Sequence, residues 1–295
     1  MKLGIALGGG GAKGLAHIGV LEVLEEHGIQ PHYVVGTSIG SVVGALYCLH
    51  GSSRGLRDRA AEMIQSKEFK NLNVAEFYTE DESTLRRFKK ELFEKFYFGR
   101  LLFKKSHIKT NVTKKLFSDL FGDTTFHDLE IKFSCNALDI QSGEEVVFTH
   151  GSLADAVWAS CAIPGIFPPF IKDERIFVDG GVIDNIPVDP VKTMGATAVV
   201  AVYLGGRPQF EGIPDTGFRI NQRALSFMKY HLDQRVLSLA DVIINPDVAQ
   251  FHWADFSPYE VLIQEGREAA AKKLKEIRLT QSFWYRLKKT LSTKS

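Results

Sequence analysis

The stretch VVGTSIGSVVGAL, from Val34 to Leu46, sets Ser38 inside Gly36-Thr37-Ser38-Ile39-Gly40, between an apolar β-branched run and a segment rich in Ala, Gly and Val. A G-x-S-x-G pentapeptide that joins a strand to a helix lets the chain turn sharply and leaves the serine hydroxyl clear of the backbone. The plainer alternative is a tight turn carrying a convenient polar residue. The pentapeptide alone does not separate the two, so its surroundings matter.

Upstream, LGIALG at 3–8 has the unbroken apolar character of a strand buried on both faces, and it runs straight into GGGGAKG. Leu15, Ile18, Val20, Leu21 and Leu24 then fit a helix over 15–27, closed by Gly28. Tyr33–Val35 reads as a second buried strand, and a second helix follows the pentapeptide to about Leu49. A strand, helix, strand, helix order implies parallel strands with helical crossovers. Downstream, 55–121 carries helical patterns and no strand. Strands are expected at Lys132–Ile140 and Glu145–Thr149, around a turn at Gln141-Ser142-Gly143. Ser152 caps a short helix that ends in ASCAIPGIFPP. Further strands are expected at Arg175–Val178, Ala198–Leu204 and Asp241–Asn245, with helices near 187–194, 220–239 and 259–277. With no repeat and no low-complexity linker, the expectation is one α/β domain over 1–295. Its helical insertion or cap spans about 55–121, and a helical tail about 259–295.

Composition narrows the class. Apolar residues make up 44% of the 295, enough for a sizeable core, and a net charge of +1 gives no global field suited to nucleic acid. Cys48, Cys135 and Cys161 are widely spaced and contain no C-x-x-C pair. Neither a disulfide framework nor a zinc site is therefore expected, and no His, Cys and Asp cluster has ligand spacing. The opening MKLGIALGGGG shows no signal-peptide apolar run, and no stretch of about 18 apolar residues occurs. A reducing, cytoplasmic setting is the expectation.

Gly9-Gly10-Gly11-Ala12-Lys13-Gly14 satisfies G-x-G-x-x-G formally, which by itself suggests a dinucleotide fold. That fold calls for an acidic residue at the end of the second strand, where this chain has Val35-Gly36. A Walker A loop is excluded, because Lys13 precedes Gly14 and no Ser or Thr follows. What remains is general: consecutive glycines uncover backbone N–H groups at a helix N-terminus, which suits a phosphate or a developing oxyanion. A nucleophilic serine also needs a base. None of the nine histidines sits in an obvious strand-end loop. Asp179 does, in RIFVDGGVIDNIP, directly after a β-branched and aromatic strand. Were its strand a parallel neighbour of the serine strand, it would point into the same crevice. A type I′ hairpin turn at Asp-Gly-Gly is the competing reading.

Four blocks in order, GGGAKG at 9–14, GTSIG at 36–40, ASCAIPGIFPP at 159–169 and DGGVIDNIP at 179–187, resemble the patatin-like phospholipases, a family of lipid acyl hydrolases. Beyond Gly206 the resemblance is one of general layout. It implies a three-layer α/β/α fold with a mainly parallel central sheet. It also implies a histidine-free dyad, with Ser38 as nucleophile and Asp179 as general base. By the same resemblance the amides of Gly9, Gly10 and Gly11 form the oxyanion hole. Lys13 orients the loop or a head group, and Gly36, Gly40, Gly180 and Gly181 support the turns. Ser160, in the proline-rich block, is given a structural role. No cofactor and no metal is implied. The substrate is a lipid acyl ester. Acyl transfer is a neighbouring option, lowered because Thr37 stands where malonyl-transferase relatives carry histidine before the serine. A non-catalytic membrane- or partner-binding module on the same scaffold is the contrasting class.

Charge is unevenly spread. Between Arg86 and Lys115 eleven basic residues face only Glu91 and Glu94, with phenylalanines interleaved, and Arg267–Ser295 adds nine against Glu268 and Glu276. Basic residues mixed with aromatics suit an anionic membrane surface. A solvated helical cap is the bland alternative, and no nucleic-acid recognition motif accompanies the charge. The expected location is accordingly cytoplasmic, peripheral on the inner membrane face.

Overall fold

A computed structural model describes residues 2–73, 104–210 and 212–282 of the chain. The basic stretch of 86–103 and the end of the tail, 283–295, lie outside the described residues. The strands are β1 (Leu3–Leu7), β2 (Tyr33–Gly36), β3 (Lys132–Asp139), β4 (Glu144–Phe148), β5 (Phe170–Lys172), β6 (Arg175–Asp179), β7 (Ala198–Val202) and β8 (Val242–Ile244). The helices are α1 (Ala16–Glu26), α2 (Ile39–His50), α3 (Leu56–Gln65), α4 (Lys67–Lys70), α5 (Thr110–Phe121), α6 (Leu153–Cys161), α7 (Val188–Thr193), α8 (Gly217–Leu237) and α9 (Tyr259–Thr280).

The eight strands form one sheet in the order β5-β6-β3-β2-β1-β7-β8, with β4 paired to β3. From β3 through β8 along that path every pairing is parallel. The sheet is covered on both faces, so its central strands are apolar at every position rather than at alternate ones. Their side chains nonetheless divide by period two. Ile5, Leu7, Val34, Val200 and Val202 join one core with residues of α1, α2, α6 and α9. Ala6, Val35, Val199 and Ala201 join a second with Val188 and Val191 of α7 and Leu237 of α8. These two cores on opposite faces are the physical content of the three-layer α/β/α architecture. Fully burying one such Ile or Leu stabilises the fold by about 1.5–3 kcal/mol.

β1 pairs with β2 on one side and β7 on the other, so the chain leaves it in opposite directions. Such a switch point opens a crevice beyond the strand ends. The glycine loop follows β1 and the G-T-S-I-G turn follows β2, which sets both at that crevice.

Three features depart from the sequence expectations. β5 has no counterpart among the expected strands; it joins β6 through Asp173 and Glu174, whose φ values of 49° and 61° mark a primed turn. Hairpin turns of that kind normally announce themselves with Asn-Gly or Gly, and Asp-Glu gives no such signal. The strand bearing Asp179 is no parallel neighbour of the serine strand: β6 pairs antiparallel with β3. And the first part of the basic tail is a core helix. α9 buries Leu262, Ile263, Gly266, Ala270 and Ile277, and Arg267 pairs with Glu22 and Glu26 of α1 at 2.8 Å each. Its charge is neutralised in place. Among the described residues the insertion holds helices α3, α4 and α5 and no strand, and Phe117 and Phe121 of α5 belong to the main core.

Candidate active site

Ser38 sits between β2 and α2 with φ 54° and ψ −126°, a positive-φ conformation that a non-glycine residue holds only when its surroundings impose it. Several contacts impose it here. Thr37 N–H donates to the Leu7 carbonyl at 3.0 Å, and Gly40 N–H to the Thr37 carbonyl at 2.8 Å. The Ser38 N–H donates to Oγ of Ser160 at 2.9 Å, and the Ser41 hydroxyl donates to the Ser38 carbonyl at 2.6 Å. At position 40 only glycine fits, because a Cβ there would lie 2.2 Å from the Leu7 carbonyl oxygen. Ser160 is fully buried, and its hydroxyl fixes the strained turn.

Asp179 ends β6. The register brings it to Ser38 in an indirect way: Gly36 of β2 lies opposite Cys135 of β3, and Asp179, arriving from the other direction, lies opposite Ala137. The carboxyl ends of both strands thus converge on two nearby residues of β3. Between them Asn136 is a polar node, accepting from the Thr37 hydroxyl at 2.7 Å and donating to the Asp184 carbonyl at 2.9 Å and Glu145 Oε1 at 2.8 Å. Gly180–Val182 forms a turn of 3₁₀ helix rather than a hairpin turn, and the Gly181 N–H donates to Asp179 Oδ1 at 2.7 Å. Burial pushes the Asp179 carboxyl up to about 6, against the opposing pull of the Ser38 hydroxyl, the Gly181 N–H and the charge of Lys229. A buried carboxylate with a pKa near 6, acted on by a neighbouring serine hydroxyl, is a competent proton acceptor at neutral pH.

The glycine loop is strapped down on both sides. Gly8 N–H donates to the Val202 carbonyl at 3.1 Å and Ala12 N–H to the Trp253 carbonyl at 2.7 Å. Gly9 N–H donates to the Asn185 carbonyl at 3.0 Å. That bond withdraws Gly9 from the three expected amide donors. The N–H groups of Gly10 and Gly11 have no acceptor among the described residues. Gly11 adopts φ +59°, and a Cβ on it would meet the Trp253 carbonyl oxygen at 2.3 Å. The Lys13 ammonium donates to the Ala249 carbonyl at 3.4 Å, and burial lowers its pKa.

Ser38 lies on the border of two spaces. One is an open crevice of about 810 Å³ that contains Asp179, Lys13, Tyr203, Lys229, Tyr230 and Asp233. The other is an apolar slot of about 80 Å³ walled by Val42, Phe69, Leu116, Phe117, Leu120 and Phe256. Gly11, Ser38, Ile163 and Trp253 line both. Among the described residues no histidine lines either space. His17 is fully buried, and its Nε2–H donates to the Gly8 carbonyl at 2.8 Å. Burial drives its pKa down to about 4, so the ring is neutral.

Sequence reasoning missed Asn136, Lys229 and Asp233. Asn136 left a trace, as a polar residue inside the apolar strand KFSCNALD. Lys229 and Asp233 left none, since an i, i+4 Lys and Asp on an amphipathic helix reads as ordinary surface charge.

Comparisons with known proteins identify the family. The family model described as patatin-like phospholipase matches residues 5–192. The lysophospholipase nte1 of Aspergillus fumigatus is 31% identical over 227 residues, covering 73% of this chain and 13% of that protein. The neuropathy target esterase sws of Drosophila melanogaster is 30% identical over 210 residues, covering 70% of this chain and 13% of that protein. The chain therefore spans about an eighth of the length of these relatives. Among solved structures, VipD from Legionella pneumophila superposes with a TM-score of 0.53 at 15% identity, over 93% of this chain and 66% of that one, which is a likeness of fold. A match over more than half of the chain, together with a relative above 30% identity across more than two thirds of it, places this chain in the patatin-like phospholipase family.

Proposed function

We propose that the chain hydrolyses acyl esters of lipids, with Ser38 as nucleophile, Asp179 as general base and the amides of Gly10 and Gly11 as the oxyanion hole. One observation carries this: a buried serine hydroxyl on a strained turn that acts on a buried carboxyl, beside two backbone N–H groups without acceptors among the described residues. Ser38 Oγ attacks the ester carbonyl carbon while its proton passes to Asp179. The carbonyl oxygen, now negative, is held by the Gly10 and Gly11 N–H groups, each typically worth about 10²–10³ in rate. As the C–O bond breaks, the leaving alcohol takes the proton from Asp179. Water then attacks the acyl-serine and gives a proton to Asp179. Collapse releases the carboxylic acid and returns that proton to Ser38.

The two spaces suit the two halves of a lipid ester. The acyl chain fits the apolar slot, and the leaving alcohol with its head group fits the polar crevice. Relatives named lysophospholipase and esterase support lipid esters as the substrate class.

A membrane-facing position is part of the same proposal. No helix among the described residues is long and apolar enough to cross a membrane. Phe218, Leu225, Met228 and Leu232 share one face of α8 and are 44–56% exposed, and Phe210 and Val182 of the crevice mouth are also exposed. Lys104, Lys105, Lys109 and Lys114 add positive charge ahead of and along α5, whereas Lys115 is paired with Glu68 and Asp119. Such a surface suits peripheral contact with an anionic bilayer, as on a cytoplasmic leaflet.

A fluorophosphonate probe tests the nucleophile. Labelling mapped to Ser38 and lost in Ser38→Ala is expected; folded protein that stays unlabelled with anionic vesicles present would sink the hydrolase reading in favour of a binding module. Co-sedimentation with vesicles containing phosphatidylserine tests the surface, with binding expected to weaken as salt rises.

A further inference from the structure

Lys229 lies in the crevice but outside residues 5–192, which the family model matches. Its ammonium donates to the Gly181 carbonyl at 3.4 Å and lies 3.5 Å from Asp233 Oδ1. Gly181 is also the residue whose N–H holds Asp179. One glycine is thus gripped from both ends, by the carboxyl on its N–H and by the ammonium on its carbonyl. Asp233, one helical turn beyond Lys229, is nearly buried, and the hydroxyl of Tyr203, the residue directly after β7, acts on its carboxyl. Lys229 is therefore held in place from behind.

We propose that Lys229 is a positioning residue for Asp179: through the Gly181 carbonyl it fixes the turn after β6, and through its charge it favours the carboxylate. This rests on the reading of Ser38 and Asp179 as the reacting pair. Among the described residues, four groups act on the Asp179 carboxyl or face it. They are the Ser38 hydroxyl from the elbow, the Gly181 N–H from its own turn, the Cys161 thiol from α6 and Lys229 from α8. The thiol is neutral, because burial raises its pKa well above the ordinary value. Lys13, Tyr203, Tyr230 and Asp233 line the same crevice, and of the described charged groups only Lys229 acts on Asp179 directly. A nearby cation stabilises the ionised form. Removing it must raise the pKa of the base, so activity is lost at a higher pH on the acid side.

The test is the pH dependence of kcat/KM on a neutral, water-soluble ester, p-nitrophenyl butyrate, for wild type, Lys229→Met, Lys229→Arg and Asp179→Asn. In Lys229→Met the acid limb is expected to move up by about half a pH unit or more, a threefold or greater loss below the limb. KM should stay unchanged, and Lys229→Arg should return the limb toward wild type. An unmoved limb in Lys229→Met overturns the proposal, whether or not the overall rate falls. So does a raised KM with an unmoved limb, which would make Lys229 a substrate contact. Full activity in Asp179→Asn would instead overturn the dyad itself, so the two failures are distinguishable. Lys229 is half exposed, and a melting curve for each variant separates loss of fold from loss of positioning.

Discussion

The crevice and the slot share four residues and differ in almost everything else. The crevice is open and carries two lysines and two carboxyls; the slot is narrow and walled by aliphatic and aromatic side chains. They also come from different parts of the chain. The crevice is built by the strand ends, the glycine loop and α8, whereas much of the slot wall comes from the insertion, through Met63, Phe69, Leu72, Leu116, Phe117 and Leu120. The difference separates two tasks. On the mechanism proposed above, bond making belongs to the crevice side of Ser38, where charges and amides are aimed. On the same proposal, choice of acyl chain belongs to the insertion, where only shape and apolar surface act.

The largest effect expected on that comparison comes from the crevice. Asp179→Asn should lower kcat/KM by about 10³-fold or more for every acyl chain length, as measured with a series of p-nitrophenyl esters. The same substitution should stabilise the protein. Asp179 titrates at about 6 in the fold against 3.8 ordinarily, so the folded state binds its proton more tightly than the unfolded chain does. Its burial therefore costs nothing below about pH 4, and the cost grows as pH rises to about 6. Above that it amounts to as much as ~3 kcal/mol. The neutral amide in Asp179→Asn would carry no such cost, so a higher melting temperature than wild type is expected at pH 7.5 and an equal one at pH 4. A lower melting temperature at pH 7.5 would mean that the carboxylate contributes stability.

A change on the shared border should act on both spaces more gently. Ser160→Ala removes the acceptor of the Ser38 N–H and leaves a buried donor unpaired, a cost of about 1–3 kcal/mol. A roughly tenfold loss of kcat is expected, uniform across chain lengths, and Ser160→Thr should recover part of it. The smallest effect belongs to the slot. Val42 lines it within about one turn of Ser38, and Val42→Phe should lower the ratio of octanoyl to acetyl ester hydrolysis several-fold while leaving acetyl hydrolysis near wild type. Equal losses for both esters would erase the distinction between the two spaces.

The parts of the molecule that local chemistry dictates are legible in the sequence. The buried strands 3–8 and 33–35, the glycine loop and the G-T-S-I-G turn are contiguous in the chain, and small residues there have one physical purpose. Asp179 is legible as a strand-end carboxylate, but its route to Ser38 is not, because the sense of a strand pairing depends on residues far away. Gly9 illustrates the same limit: its amide is taken by Asn185, far downstream in the chain. Arg267 reads as free basic tail in the sequence, whereas in the fold Glu22 and Glu26 stand beside it. The Asp173-Glu174 turn is invisible because that pair lacks the glycine that usually marks positive φ.

The convergence of β2 and β6 on β3 bears on how the protein ages when heated. Ser38 and Asp179 are carried to each other by strands that are both zipped to Cys135–Ala137, in the middle of the sheet. Among the described residues it is sheet pairing, rather than a hinged loop, that joins the proposed nucleophile to its proposed base, so they part only when the central sheet comes undone. Inactivation should therefore follow the unfolding rate itself, and residual activity after a heat pulse should count surviving native molecules one for one.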